Sequence, residues 1–433
     1  MKYISTRGHS ARLKFEQVVF AGLAPDGGFY VPDHVPTIPF SILETFQSMR
    51  FDEIAFEILS LFIDPNEIPR DDLRKIICDT LSKFDHPFIT PLRHVDADQD
   101  LWILELFHGP SLSFKDFAMQ FLGNLFDYFL QRKSIVERIC IVGASNGDIG
   151  SAAVEGFKNK KHIELFLLHP LGKVSHVQEK QMTSVKEENI HNIAIKGSLD
   201  DCRDIVKGLF EDSHFRYSHK LAAINTVNWA RIMIEIVYYF YAFFRIQEYH
   251  SSDLEIQHFR SVRFSIPSGS FGNALACYYA KLLGLPIHSI IVATNENDIM
   301  HRFLSKGIYE KNVLIETMSP AMDIQTASNF ERFLFEITNR DSAFVNQSVH
   351  RMDVDRKIVL PPPIFNGIKE VFKSAAINQK QYPIMATKAP ILLDPHSAIG
   401  IAAAERVLPS NPKSTKLVCP RRPSCTWARP FIP

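Results

Sequence analysis

Lys115, within FHGPSLSFKDFAMQ (residues 107–120), is the side chain best placed for covalent chemistry. LWILELF (101–107) has the continuous apolar character of a buried strand. HGPS then turns the chain, and Ser113 with Asp116 three positions on forms a capping-box pattern for the helix that follows. This predicts Lys115 two residues into a strongly apolar helix. The positive end of the helix dipole and apolar surroundings both disfavour an ammonium. They therefore lower a lysine pKa and leave an amine able to act as nucleophile or to form a Schiff base. Taken alone, the lysine also fits a solvated surface position, since lysine is seldom fully buried.

Three other segments carry candidate groups. SGSFGN (Ser268, Gly269, Ser270, Phe271, Gly272, Asn273) sits between a strand pattern and a helix pattern, so its backbone N–H groups can converge on an anion at a helix N-terminus. It lacks the GK[ST] ending of a nucleoside-triphosphate loop and suits a phosphate monoester; an ordinary glycine-rich turn is the other reading. GASNGDIG (143–150) departs from the GxGxxG spacing, which disfavours a dinucleotide, and Ser145, Asn146, Gly147 and Asp148 could meet a carboxylate or phosphate or simply form a capped turn. In INTVNWAR, the groups Asn225, Thr226, Asn228 and Arg231 enter a very apolar helix, so they need partners, either a bound anion or an internal cap. His108 and His396 lie beside Gly or Pro turns and read as structural; no HExxH or His/Cys cluster suggests a catalytic metal. One arrangement uses these loops together. Lys115 carries pyridoxal 5'-phosphate as a Schiff base, SGSFGN holds its phosphate, and the remaining loops serve the substrate.

Positioning such loops takes a scaffold, and the 433 residues, 46% hydrophobic, suffice for two or three domains. Residues 1–96 read as a helical or irregular N-terminal unit with helices near 41–62 and 69–83. From 97 to 407 strand, glycine loop and helix alternate, which predicts an α/β fold with parallel sheets covered by helices and ligands at the strands' carboxyl ends; about 120–222 forms a smaller lobe. From about 340 the periodicity fades around Pro361, Pro362 and Pro363. Residues 408–433 form an atypical tail, the last 24 of them reading as disordered or foreign, with no strand expected. Lys plus Arg and Asp plus Glu both number 48, so no net field favours nucleic acid or an anionic membrane. The apolar run 231–247 contains Glu235 and Arg245 and reads as a core helix, and six scattered cysteines suit a reducing, cytoplasmic setting.

In order along the chain, STRG (5–8), GLAPDGGFYVP (22–32), LELFHGPSLSFKDFAMQ (104–120), GASNGDIGSAA (143–153), INTVNWARI (224–232), IPSGSFGN (266–273), ATNENDI (293–299), SPAMDI (319–324) and LDPHSAIG (393–400) resemble the long-chain, fungal and bacterial branch of the threonine synthase family. The resemblance implies a fold-type-II pyridoxal-phosphate enzyme, tryptophan synthase β-like, that turns O-phospho-L-homoserine and water into L-threonine and phosphate. It makes Lys115 the aldimine lysine and Ser268 to Asn273 the phosphate loop. Ser145, Asn146, Gly147 and Asp148 would meet the substrate, and Asn228 with Arg231 the leaving phosphate. The family's TSGDTG is departed from at Ser145, Asn146 and Ile149, its AFKD is SFKD here, and nothing in 408–433 matches the STAHPAKF-like segment whose hydroxyl meets the pyridine nitrogen. Ser424 and Thr426 are poor substitutes. These departures keep two alternatives in view, a phospho-lyase or β/γ-eliminating enzyme of specialised metabolism and a non-catalytic paralogue.

Overall fold

The computed structural model describes residues 1–133, 138–145, 147–223, 227–251, 259–381, 393–407 and 414–418. The N-terminal part pairs β1 (Tyr3–Ser5) with β2 (Tyr30–Pro32) antiparallel and adds helices Phe15–Ala21, Phe40–Thr45, Phe51–Ser60 and Arg70–Leu81. The helix expected over 41–62 is thus two, with a 3-10 turn over Phe46–Ser48 and an extended Met49 between them.

Two parallel sheets follow. The larger is built from β3 (Leu92–Asp96), β4 (Leu101–Leu104), β9 (Ser261–Pro267), β10 (Ile287–Thr294), β13 (Phe372–Ala376) and β14 (Ser414–Val418), in the order β13-β10-β9-β14-β4-β3. Only the β3–β4 pair is antiparallel. The smaller contains β5 (Ile139–Ala144), β6 (Ile163–Pro170), β7 (Ile190–Ile195) and β8 (Leu221–Ala223), in the order β7-β6-β5-β8 and all parallel. A short antiparallel ribbon joins β11 (Ile308–Glu310) to β12 (Lys357–Val359).

The Trp229–Tyr249 helix is buried along 18 of its 21 residues. Its rings meet those of the N-terminal part and of the Lys115 helix, with Phe51 to Tyr241 at 5.3 Å and Phe117 to Tyr238 at 5.6 Å between centroids. Each such ring removes enough apolar surface to contribute roughly 1.5–3 kcal/mol. One apolar cluster accordingly runs from Tyr3 to Phe372, so the N-terminal part shares its core with the α/β part. Among the described residues no helix is long and apolar enough to cross a membrane.

Two expectations are corrected. The stretch after 340 is ordered as helices Ser342–Val354 and Pro362–Val371 followed by β13; the prolines that interrupt the apolar pattern start a helix, with Pro at its first positions, where the missing N–H costs nothing. The tail, in which no strand was expected, supplies β14, parallel to both neighbours and inserted between them, with Leu417 opposite Trp102 and Phe264. Pro412 and Pro420 bracket this five-residue strand rather than interrupt it. Its backbone satisfies edges of β4 and β9 that would otherwise face each other unpaired.

Candidate active site

The candidate groups gather where loops leave the carboxyl ends of β4, β5 and β9. The helix after β4 begins at Lys115 itself, one residue later than the capping box implied, and Phe114 stands at the cap without a side-chain bond. The Ser113 hydroxyl accepts the Lys115 N–H at 3.4 Å, while Asp116 Oδ2 accepts the N–H groups of Ser111 and Ser113 at 3.0 and 3.3 Å. The Asp116 carboxyl is fully buried, and burial pushes it up to about 7 against the pull of those bonds.

Lys115 reaches across to the β5 loop. Its Nζ lies 2.5 Å from Asp148 Oδ2, and Gln178 Nε2 donates to Asp148 Oδ1 at 3.4 Å. Ser145 Oγ accepts the N–H groups of Gly147 and Gly150 at 2.9 and 2.8 Å, which closes the turn into the Asp148–Phe157 helix. Gly147 has φ +109°, and a Cβ there would meet Gln178 Oε1 at 2.5 Å, so glycine is required on both counts. Ile149 packs on the main apolar cluster, which accounts for an apolar residue at that position. Asn146, Asn225, Thr226, Ser424 and Thr426 lie outside the described residues.

The β9 loop has the features of an anion cradle. Phe271 caps the Gly272–Leu282 helix at φ +64° with no side-chain cap bond, and Gly269 passes so close to the chain that a Cβ would lie 2.6 Å from Ala321 O. Ser268 Oγ and Asn273 Nδ2 are buried without a hydrogen-bond partner among the described residues. Buried donors of this kind call for an acceptor, and a phosphate group meets that need. Asn273 Oδ1 is occupied from the other side by the hydroxyls of Tyr238 and, at 3.3 Å, Tyr239, which also donates to the Asn273 carbonyl at 2.9 Å.

A buried cavity of ≈ 50 Å³ joins these parts and is lined by Lys115, Arg231, Glu235, Gly272, Asn273 and Asn329. Burial lowers the Arg231 guanidinium below its usual range, with Glu235 one turn on opposing the shift. Asn228 is used internally. Its Oδ1 caps the helix by accepting the Ala230 N–H at 3.1 Å and its Nδ2 donates to Val19 O at 2.8 Å, the internal cap that was one of the two readings open in the sequence. His108 bonds Glu105 and Asp85, and buried His396 bonds Asp394, both as structural histidines. Sequence reasoning missed Gln178, Tyr238, Tyr239 and Glu235. The last three sit in a helix whose apolar character reads only as core, and no local spacing marks Gln178.

Comparison with known proteins bears on the same segments. Residues 2–81 match the family model described as threonine synthase N terminus, and residues 84–348 match that of pyridoxal-phosphate dependent enzymes. The chain is 42% identical to the threonine synthase of Pseudomonas aeruginosa over 93% of its own length and 84% of that protein's, and 39% identical to that of Saccharomyces cerevisiae over 96% and 85%. Among solved structures, a pyridoxal-phosphate-bound threonine synthase from Brucella melitensis superposes with a TM-score of 0.91 at 38% identity, covering 99% of this chain and 89% of that one. Yeast threonine synthase gives 0.92 at 37%, covering 99% and 88%.

Proposed function

Since the chain belongs to the threonine synthase family and is a pyridoxal-phosphate-dependent enzyme, we propose that it converts O-phospho-L-homoserine and water into L-threonine and phosphate. The observation that carries this reading is the cavity in which Lys115, Arg231 and the Gly272–Asn273 helix start face one another. When bound, the cofactor supplies an electron sink for negative charge that develops on the substrate carbons.

Each residue then has a defined task. The backbone N–H groups of the 268–273 loop, with Ser268 Oγ and Asn273 Nδ2, hold the cofactor phosphate. Lys115 Nζ is the linking amine and, once released, the base for the substrate's α-proton; Asp148 Oδ2, 2.5 Å away, keeps the exchanged proton within the site. The Ser145 oxygen already accepts two N–H bonds, so its own proton is left to donate to the substrate carboxylate. Arg231 receives the departing phosphate through its planar fork, and Glu235 offsets its charge while the site is empty of anion. Asn228 contributes by starting the helix that presents Arg231. Cys78, Cys140, Cys202 and Cys277 are free thiols, which supports a cytoplasmic enzyme.

Incubation of the cofactor-loaded protein with O-phospho-L-homoserine tests the reaction. Equal amounts of phosphate and threonine are expected. Phosphate accompanied by a keto acid instead of threonine would identify a β/γ-eliminating enzyme, and no phosphate at all would contradict both.

A further inference from the structure

The turn that delivers Lys115 is held in a strained form by the next carboxyl group along the chain. Leu112 has φ +58°, a left-handed conformation that a leucine adopts at a cost. On either side of it the N–H groups of Ser111 and Ser113 converge on Asp116 Oδ2, at 3.0 and 3.3 Å, and the Leu112 N–H itself donates to Gly109 O at 2.9 Å. N–H groups converging around a left-handed residue make an anion-binding nest, and here the anion is the chain's own carboxylate. Gly109 admits it, because a Cβ there would lie 2.5 Å from Asp116 Cβ and 2.6 Å from Oδ2.

Asp116 is a poor choice for stability alone. Its side chain is fully buried, Oδ1 has no hydrogen-bond partner among the described residues, and Glu155 on the Asp148–Phe157 helix adds like charge. A neutral group of the same shape would carry a smaller desolvation penalty. Gln181, from the His176–Thr183 helix, braces the same turn by donating to Ser111 O at 3.1 Å. Lys115 immediately adjoins Asp116 and is covalently continuous with the clamped turn.

We propose that Asp116 is a positioning residue for Lys115, its carboxyl clamping the Gly109–Ser113 turn and so fixing where the Lys115 amine enters the site. The proposal rests on the reading of Lys115 as the cofactor-linking lysine. The full chain, freed of cofactor, is mixed with pyridoxal phosphate, quenched with borohydride at intervals, and the label on the Lys115 peptide is quantified beside the melting temperature. Asp116→Ala is expected to slow capture about tenfold or more, the scale of a lost hydrogen bond to a charged group. Asp116→Asn keeps an acceptor for the same two N–H groups and is expected to stay within about threefold of the parent. Adding Leu112→Gly to Asp116→Ala should recover much of the rate, because glycine adopts the left-handed turn without needing the clamp. If Asp116→Ala does not fold, Gly109→Ala replaces it, since the new methyl displaces the carboxyl while leaving it in the chain. Capture at the parent rate in the clamp-less variant, or no recovery from Leu112→Gly, would overturn the proposal. No label on Lys115 in the parent protein would instead overturn the reading it rests on.

Discussion

Gly269 and Gly272 look interchangeable in SGSFGN and differ in space. A Cβ on Gly269 meets a backbone oxygen, Ala321 O, at 2.6 Å, whereas one on Gly272 meets the Asn329 side-chain amide at 3.2 Å, which can yield. Gly269→Ala should therefore strip the cofactor during dialysis while Gly272→Ala and Ser268→Ala retain most of it, as read from the absorbance of bound cofactor. Equal losses in all three would mean that the loop does not hold phosphate by close backbone approach. Asp116 gives a second expectation at this scale. Burial raises its carboxyl to about 7, so between its ordinary value near 4 and pH 7 the folded chain holds a proton that the unfolded chain has released. Its contribution to stability therefore falls as pH rises through that window and is lowest above pH 7. Asp116→Asn, which never ionises, should lose less melting temperature between pH 5 and 8 than the parent. A steeper loss in the variant would contradict the shift.

At the scale of elements, the Trp229–Tyr249 helix does two jobs. It forms the core and it orients the cradle from behind, since the Tyr238 and Tyr239 hydroxyls occupy the oxygen of Asn273 and turn its amide N–H groups elsewhere. Each neutral hydrogen bond contributes about 0.5–1.5 kcal/mol, so Tyr239→Phe should weaken cofactor binding by roughly two- to tenfold with little change in fold, measured by fluorescence titration. The double change Tyr238→Phe with Tyr239→Phe should exceed either alone. Strand β14 carries a contrary expectation to the one its composition invites. Because it lies between β4 and β9 and pairs with both, Leu417→Pro should lower the melting temperature sharply, as proline removes a ladder donor from a central strand. An unchanged melting temperature would show that the strand adds nothing to the sheet. The strand escaped sequence reasoning because a strand of five residues is too short to display a period, and what recruits it is the pair of open edges on β4 and β9, both far away in the sequence.

For the whole molecule, the alternation of strand, glycine loop and helix was enough to read the parallel sheets and to place the loops of Lys115, Ser145 and Ser268 at the strands' carboxyl ends, because that period is local. What joins those loops is not local. Lys115 meets Asp148 across 33 positions, and Tyr238 meets Asn273 across 35. Such pairs arise from how loops and helices distant in sequence pack together, so no short window of sequence contains them, and a helix as apolar as Trp229–Tyr249 hides its two useful hydroxyls among core residues. Asn228 left two readings open in the sequence, a bound anion or an internal cap, and only the fold reveals that its oxygen caps the Trp229–Tyr249 helix and its amide reaches Val19 O. The central claim is that Lys115 is the amine that links the cofactor in a site shared with Arg231 and the 268–273 loop. Borohydride reduction of the cofactor-loaded protein followed by peptide mapping measures it directly. The label should sit on Lys115 alone and vanish in Lys115→Ala; label on any other lysine, or label that survives that substitution, would contradict the account.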